Sequence, residues 1–174
     1  MSFLDLLAAV AQVVGGTQPD ATHSTVPAAN QPYWYSGRDA ADGTGVAGLA
    51  GCYSIPTEVL GATPVGLVLP GPWRPDPSMP AFPMSGHKFT EDEVHVRIMV
   101  GHDAEQGLMA RLVGFRDTVP LVFDAHMQLL STPGVTSAWC NEGDLVEVMW
   151  GGNVYFALTF IVRVQRGLAA TYVG

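Results

Sequence analysis

Proline is distributed very unevenly along this sequence, and its distribution limits where regular secondary structure can form. Eleven of the 13 prolines lie between residues 19 and 83, most of them in two stretches at 17–62 and 72–90. Proline fixes φ and cannot donate a backbone hydrogen bond, so segments rich in it rarely form helices or central strands. We therefore expect extended, Pro/Gly-rich arms in these two stretches and regular structure elsewhere.

The regions outside the arms have clear hydrophobic periodicity. Leu4, Leu7, Ala11 and Val14 recur at helical spacing and predict an N-terminal helix over residues 1–14. Further apolar residues between Leu108 and Leu130 recur every three to five positions, which predicts one long helix or two collinear ones. Pro120 should kink or split this helix near Thr118.

Several other segments have the composition or the period of two that is typical of strands. Gly151-Gly152-Asn153 predicts a hairpin between the last two of them. The predicted strands are Val65–Leu69, Val94–Val100, Val135–Cys140, Leu145–Trp150 and Val154–Arg166.

Together these elements predict an α+β fold in a single domain over residues 1–174. One mostly antiparallel sheet would be packed by the long helix and the N-terminal helix. The core would span 64–166, including the 72–90 arm, and residues 167–174 would form a tail. A chain of this size can bury about 69% of its unfolded surface, which is enough for one core.

Charge and hydropathy disfavour some functions. The sequence has 8 basic and 16 acidic residues and a single lysine, Lys88, so binding to nucleic acid through phosphate neutralisation is not expected. Charged residues make up 14% of the chain, below the usual figure of about 25%, which suggests that part of the surface meets protein.

The longest apolar run, Val154–Val162, is far shorter than the ~20 residues needed to cross a membrane. Met1–Val14 lacks the features of a signal peptide.

Three motifs are candidate ligand sites. Residues 43–48 read Gly-Thr-Gly-Val-Ala-Gly, but without the preceding strand and following helix of a dinucleotide fold we expect a flexible loop. His95, His102 and Asp103 lack metal-ligand spacing, so we expect surface or hydrogen-bonded histidines. The acidic run 91–93 could bind calcium or act as an acid–base pair, but a solvated group that protects a strand edge is the simpler interpretation.

Nothing in the sequence predicts covalent catalysis. Cys52 and Cys140 are 88 positions apart in no recognisable motif, and we expect two reduced, buried thiols. No serine lies in a nucleophile elbow. We therefore expect no catalytic residues, no cofactor and no metal, and classify the chain as a non-enzyme.

The order of elements resembles that of tail terminator proteins, the neck rings of long-tailed bacteriophages. Four segments carry the resemblance, together with the predicted N-terminal and long helices. These segments are Pro64-Val65-Gly66-Leu67-Val68-Leu69-Pro70-Gly71, Val94-His95-Val96-Arg97-Ile98-Met99-Val100-Gly101, Thr132-Pro133-Gly134-Val135 and Gly152-Asn153-Val154-Tyr155. The resemblance covers residues 1–14 and 64–166.

The resemblance implies a structural virion protein that is assembled in the host cytoplasm. Its subunits would form a six-fold ring that caps the tail tube and joins it to the head-completion, or stopper, protein. DNA would pass through the lumen without sequence-specific binding, and a net charge of −8 suits such a lumen. Scarce charges and apolar arms also suit a subunit that buries surface against its neighbours.

Alternatives remain open at this point. A tail-tube or head–tail adaptor subunit would be favoured if the long helix proved short and the sheet formed a continuous barrel between subunits. A small binding module could use Trp73, Phe82 and the outer face of the last strand. For the ring, aromatic and methionine residues of the arms are the expected contacts with neighbouring subunits or the tube. They are Tyr33, Trp34, Tyr35, Trp73, Met79, Phe82 and Met84.

Overall fold

The computed structural model of the chain describes residues 2–16, 34–36, 44–55, 60, 63–72, 87–101 and 107–169. Within them, two helices accompany one six-stranded sheet, so the architecture is α+β, as the periodicity predicts. In chain order the elements are α1 (Phe3–Gly15), β1 (Trp34–Ser36), β2 (Gly51–Tyr53), β3 (Val65–Pro70), β4 (His87–Gly101), α2 (Leu108–Ala125), β5 (Val135–Trp150) and β6 (Asn153–Ala169).

The sheet has the strand order β1-β2-β3-β4-β6-β5 and is mostly antiparallel. Only β2 and β3 pair in parallel among the described strands. β4, β5 and β6 have 15, 16 and 17 residues, about three times the usual strand length. These three strands form a long antiparallel platform, and β5 lies at its edge.

α1 begins at a complete capping box. The Asp5 carboxylate accepts a hydrogen bond from the Ser2 backbone N–H at 2.8 Å, and the Ser2 hydroxyl accepts one from the Asp5 N–H at 3.2 Å. The apolar side of α1 packs closely on the sheet at Gly66. A Cβ at Gly66 would lie 2.7 Å from Cys52 Sγ and 3.5 Å from Val14 Cγ1. A glycine is therefore required where the helix crosses β2 and β3.

α2 is shorter than the predicted helix, since it ends at Ala125 rather than Leu130. Pro120 lies inside a continuous helix and does not split it. The buried side chains Val119 and Phe123 flank Pro120, and we attribute the continuity of the helix to their packing. After α2, Leu129, Leu130 and Ser131 have φ values of 45°, 59° and 61°, a left-handed turn that returns the buried Leu129 to the core.

Several predicted boundaries need correction. The stretch 17–62, predicted as an irregular arm, contains β1 and β2, because their backbones pair with each other and with β3. The 72–90 arm overlaps β4, which begins at His87, and the predicted tail overlaps β6, which ends at Ala169. Both extensions follow from the pairing of β4 with β6 along their whole lengths. Residues 17–33 and 73–86 lie outside the described residues.

The sheet has apolar clusters on both faces. Alternate residues of β4, among them Val94, Val96 and Ile98, join α1, α2 and the inward residues of β6 in the main core. On the other face, a smaller cluster lies near the C-terminal end of β4. Its buried members are Tyr53, Val65, Leu67, Met99, Tyr155 and Ala157. Both helices therefore cover one face, here called the helix face, and the other is called the open face.

Candidate interaction surface

β5 is the exposed edge of the long platform. It pairs with β6 on one side, and no described strand lies on its other side. The outward backbone N–H and C=O groups of an edge strand can pair with a strand of another chain. A 16-residue edge that no described strand covers is about three times the usual strand length.

A β-bulge divides β5 into two halves. Pairing with β6 shifts by one residue between Glu142, opposite Phe160, and Leu145, opposite Leu158. Gly143 occupies the bulge, and a Cβ at that position would collide with the carbonyl oxygen of Thr159. The segment before the bulge, 135–141, is here called the proximal half, and Leu145–Trp150 is called the distal half.

The distal half exposes large apolar side chains on both faces of the sheet. Leu145 and Met149 are 44% and 76% exposed and lie on the helix face, whereas Val146 is 40% exposed and lies on the open face. The register assigns these faces, because Leu145 is opposite the core residue Leu158 and Val146 is opposite Ala157. Exposed apolar residues grouped on an edge strand mark a surface that a partner protein would cover.

The charge of this edge has one sign. Asp144 and Glu147 are both exposed, and β5 contains no lysine or arginine. The part of β6 that pairs with the distal half, residues 153–158, contains no charged residue. The exposed edge therefore combines apolar side chains with carboxylates.

The acidic run 91–93 lies on a part of β4 that β3 does not cover. β3 pairs with β4 from Val94 onwards, so no described strand borders residues 91–93 on that side, and Gly71 N–H donates to the Glu93 carbonyl. The three carboxylates also have side-chain partners. Glu91 Oε1 lies 3.5 Å from Arg163 Nη1, Glu93 Oε1 lies 2.9 Å from His95 Nε2, and Asp92 pairs with Arg166.

These pairs bear on the other candidate ligand sites. His95 is hydrogen-bonded to Glu93, as a structural histidine would be, while His102 and Asp103 lie outside the described residues. Among the residues that the structure describes, no group of three or more His, Cys, Asp or Glu side chains could hold a metal ion. The ion pairs instead tie β4 to its neighbour β6 and to itself.

The backbone N–H groups of the glycine loop are used in hydrogen bonds within the fold. The Gly45 and Val46 N–H groups donate to the carbonyls of Val13 and Val14 at the end of α1, at 2.9 and 2.7 Å, so they are not directed at a phosphate.

Cys52 and Cys140 are free thiols. Burial raises the pKa of Cys52, and burial with the nearby Asp124 carboxylate raises the pKa of Cys140 to about 12. Neither thiol is an activated nucleophile at neutral pH.

The predicted contact residues lie largely beyond this surface. Tyr33, Trp73, Met79, Phe82 and Met84 are outside the described residues. The backbones of Trp34 and Tyr35 lie in β1, opposite Tyr53 and Cys52, and their side chains are not described. Their proposed contacts stay predictions.

The sequence of β5 carries a signal of its exposure. The run Leu-Val-Glu-Val-Met-Trp at 145–150 is apolar at five of six positions, so it cannot place all its apolar side chains on one buried face. Its position at the sheet edge, however, depends on the order in which β4, β5 and β6 pair. That order became apparent only in the structure.

Comparisons with known proteins identify no relative: no protein-family model, curated protein or solved structure matches this chain. Neither α1 nor α2 is both long enough and apolar enough to cross a membrane, which is a finding about the described residues only.

Proposed function

We propose that this chain is a structural virion subunit that forms a ring, six-fold in symmetry as the resemblance implies, at the head-proximal end of a bacteriophage tail. The ring caps the tail tube and joins it to the head-completion protein. The observation that carries the proposal is the open edge of β5 with its exposed Leu145, Val146 and Met149. A surface of this kind is suited to permanent contact with protein.

The order of the described elements supports the proposal. The resemblance implies an N-terminal helix, a proline-bounded strand, a longer strand, a helix and a closing hairpin. α1, β3, β4, α2 and the β5–β6 hairpin follow that order. The hairpin turns through Gly151 and Gly152, whose φ values of 54° and 82° suit a two-residue turn.

The arms complete the proposal. In the ring, the proline-rich stretches 17–62 and 72–90 lie against neighbouring subunits or the tube, with the aromatic and methionine residues named above at the contacts. The ring acts without catalysis, cofactor or metal. With a net charge of −8, it passes DNA through its lumen without holding it.

A second candidate is a tail-tube or head–tail adaptor subunit. It is favoured by the length of α2, which ends five residues before the predicted Leu130. An open β5 edge is equally compatible with a sheet that continues from one subunit to the next. The two candidates differ in where the ring assembles, not in chemistry.

The test is native mass spectrometry and negative-stain imaging of the chain, alone and mixed with tail tubes of the same virus. A hexamer of 18.5 kDa subunits has a mass of about 111 kDa. We expect closed rings, free or at tube ends only. A chain that stays monomeric and ignores tubes would refute the proposal, and rings found on portals instead would favour the adaptor.

Matched variants connect this test to β5. Met149→Asp places a charge on the distal half, and Leu4→Asp places one on α1 at a side chain of similar type that is 58% exposed. Both should leave the stability of the monomer nearly unchanged, because neither residue is in the core. Met149→Asp should impair assembly or tube capping, and Leu4→Asp should not. Equal behaviour of the two variants would remove the support that β5 gives to the proposal.

A further inference from the structure

We propose that the distal half of β5, Leu145–Trp150, is the docking edge for a β-strand of a different protein that carries lysine or arginine side chains. The inference rests on the proposed function and names the chemistry of one partner of the ring. It uses three features of the described residues: an open backbone edge, a single sign of charge, and the positions of the chain's own basic residues.

The backbone of the distal half is suited to strand addition. Its six residues pair in unbroken register with residues 153–158 of β6, from Leu145 opposite Leu158 to Trp150 opposite Asn153. The segment contains no proline, so every second residue offers both its N–H and its C=O to the open edge. The bulge at Gly143 ends this regular stretch, which limits the added strand to about six residues.

The side chains indicate the composition of the incoming strand. Leu145, Val146 and Met149 would contact apolar side chains on both faces of that strand. Glu147 lies between them on the helix face, and Asp144 lies at the bulge. A lysine or arginine opposite Glu147 would form a favourable cross-strand pair, whereas an acidic residue there would repel it. A strand that is apolar except for one basic residue opposite Glu147 satisfies both requirements.

The described residues of a second copy fit this edge poorly. Antiparallel pairing of two distal halves centred on Glu147 sets the two Glu147 carboxylates opposite each other, and centring on Val148 leaves them diagonal. The basic residues of the described part of the chain are on α2, β4 and β6. They are Lys88 and Arg97 on β4, Arg111 and Arg116 on α2, and Arg163 and Arg166 on β6. Of the strand residues, only Lys88 lies on a stretch that no described strand borders on one side, since β3 pairs with β4 from Val94 onwards. That stretch, residues 87–93, also carries Glu91, Asp92 and Glu93, so it is acidic overall and would repel Glu147.

The experiment uses the full chain and two synthetic hexapeptides of valine, one with a single central lysine and one with a single central glutamate. Binding is followed by backbone NMR shifts and by hydrogen exchange of the β5 amides, in low and high salt. The lysine peptide should protect outward amides of residues 145–150, and its affinity should fall as salt rises. The same peptide with a proline next to the lysine should bind more weakly, because it loses a ladder hydrogen bond.

Charge variants make the assignment specific. Glu147→Lys should weaken the lysine peptide by up to about fivefold and favour the glutamate peptide, the range expected for one cross-strand pair. Asp117→Lys makes the same change in net charge at an exposed carboxylate on α2 and should leave both affinities unchanged. Equal effects of the two variants would mean that only net charge matters, which would overturn the proposal.

Other outcomes would also overturn it. Protection of the β5 amides that grows with protein concentration in the absence of peptide would identify a second copy as the occupant. No protection by the lysine peptide, or equal binding of both peptides, would exclude a basic strand. If rings still cap tubes in those cases, the proposed function stands without this inference. If no ring forms under any condition, the proposed function fails even where the peptide binds.

Discussion

The two halves of β5 are both rich in apolar residues, yet their surroundings differ. In the proximal half, Val135 and Ala138 are buried in the main core, which α2 completes. In the distal half, Leu145 and Met149 lie on the same helix face of the sheet but are largely exposed. The hydrophobic pattern of a strand therefore does not determine what covers it. The comparison separates residues that hold the fold together from residues available to a partner.

The lengths of the elements explain the difference. α2 has 18 residues and is about 27 Å long at 1.5 Å per residue, whereas the 16 residues of β5 extend for about 53 Å. One helix of this length cannot cover the strand from end to end. Asp124, near the end of α2, approaches Cys140 in the first part of β5. The distal half extends beyond this cover, and the bulge at Gly143 marks the boundary.

The largest expected effect tests the core that covers the proximal half of β5. Phe123→Ala removes a fully buried side chain of α2 from the main core and should cost about 3–5 kcal/mol of unfolding free energy. Met149→Ala, in the distal half, should change it by less than about 0.5 kcal/mol. Urea unfolding below the concentration at which rings form measures both. Similar losses for the two variants would mean that the distal half belongs to the core of the monomer.

The next effect tests the boundary between the halves. Gly143→Ala should destabilise the chain by about 1–3 kcal/mol, since the new Cβ would collide with the Thr159 carbonyl and force β5 away from β6. The control is Gly114→Ala on α2, where a Cβ would meet no atom within 4 Å. That variant should stabilise the helix by about 0.5–1 kcal/mol. Losses of equal size at both positions would contradict the role of Gly143 in the bulge.

Much of the fold follows from local patterns in the sequence. The helical spacing of Leu4, Leu7, Ala11 and Val14, the period of two along β4 and the Gly151-Gly152 turn each depend on near neighbours in the chain, so sequence alone predicted them. β1 and β2 could not be predicted in the same way, because Trp34–Ser36 and Gly51–Tyr53 are short and are strands only through pairing with other segments. The predicted end of α2 was also wrong, because Leu129 keeps the helical spacing of the apolar residues but reaches the core through a left-handed turn.

The candidate site was less predictable than the fold. Aromatic and methionine residues of the arms were chosen for their composition, and the described residues do not test them. The distal half of β5 was predicted as a strand, but its exposure depends on strand order and on the reach of α2. Both are properties of long-range packing, and the sequence of Leu145–Trp150 does not contain them.

A smaller effect tests the turn that leads from α2 into the proximal half of β5. Ser131 is exposed with φ near 61°, a conformation that glycine adopts without the steric cost of a Cβ. Ser131→Gly should therefore stabilise the chain by about 1 kcal/mol, and Ser131→Val should destabilise it, because a β-branched residue is strained there. Thermal unfolding measures the change in stability of each variant. If glycine destabilised the chain, the left-handed turn that leads from α2 into β5 would not be its native conformation.

The smallest effect comes from α1, far along the sheet from β5, and depends on pH. The hydrogen bonds from the Ser2 backbone N–H and the Ser2 side chain lower the pKa of Asp5 from its ordinary value of 3.8. The ionised carboxylate therefore stabilises the folded state above pH 3.8, and this contribution disappears as the pH falls through the lower folded-state pKa. Asp5→Asn should be less stable than the parent chain at pH 7, with the difference vanishing near pH 2. Unfolding curves at both pH values measure it, and a difference that persists at low pH would assign the effect to lost packing rather than to the charge at the capping box.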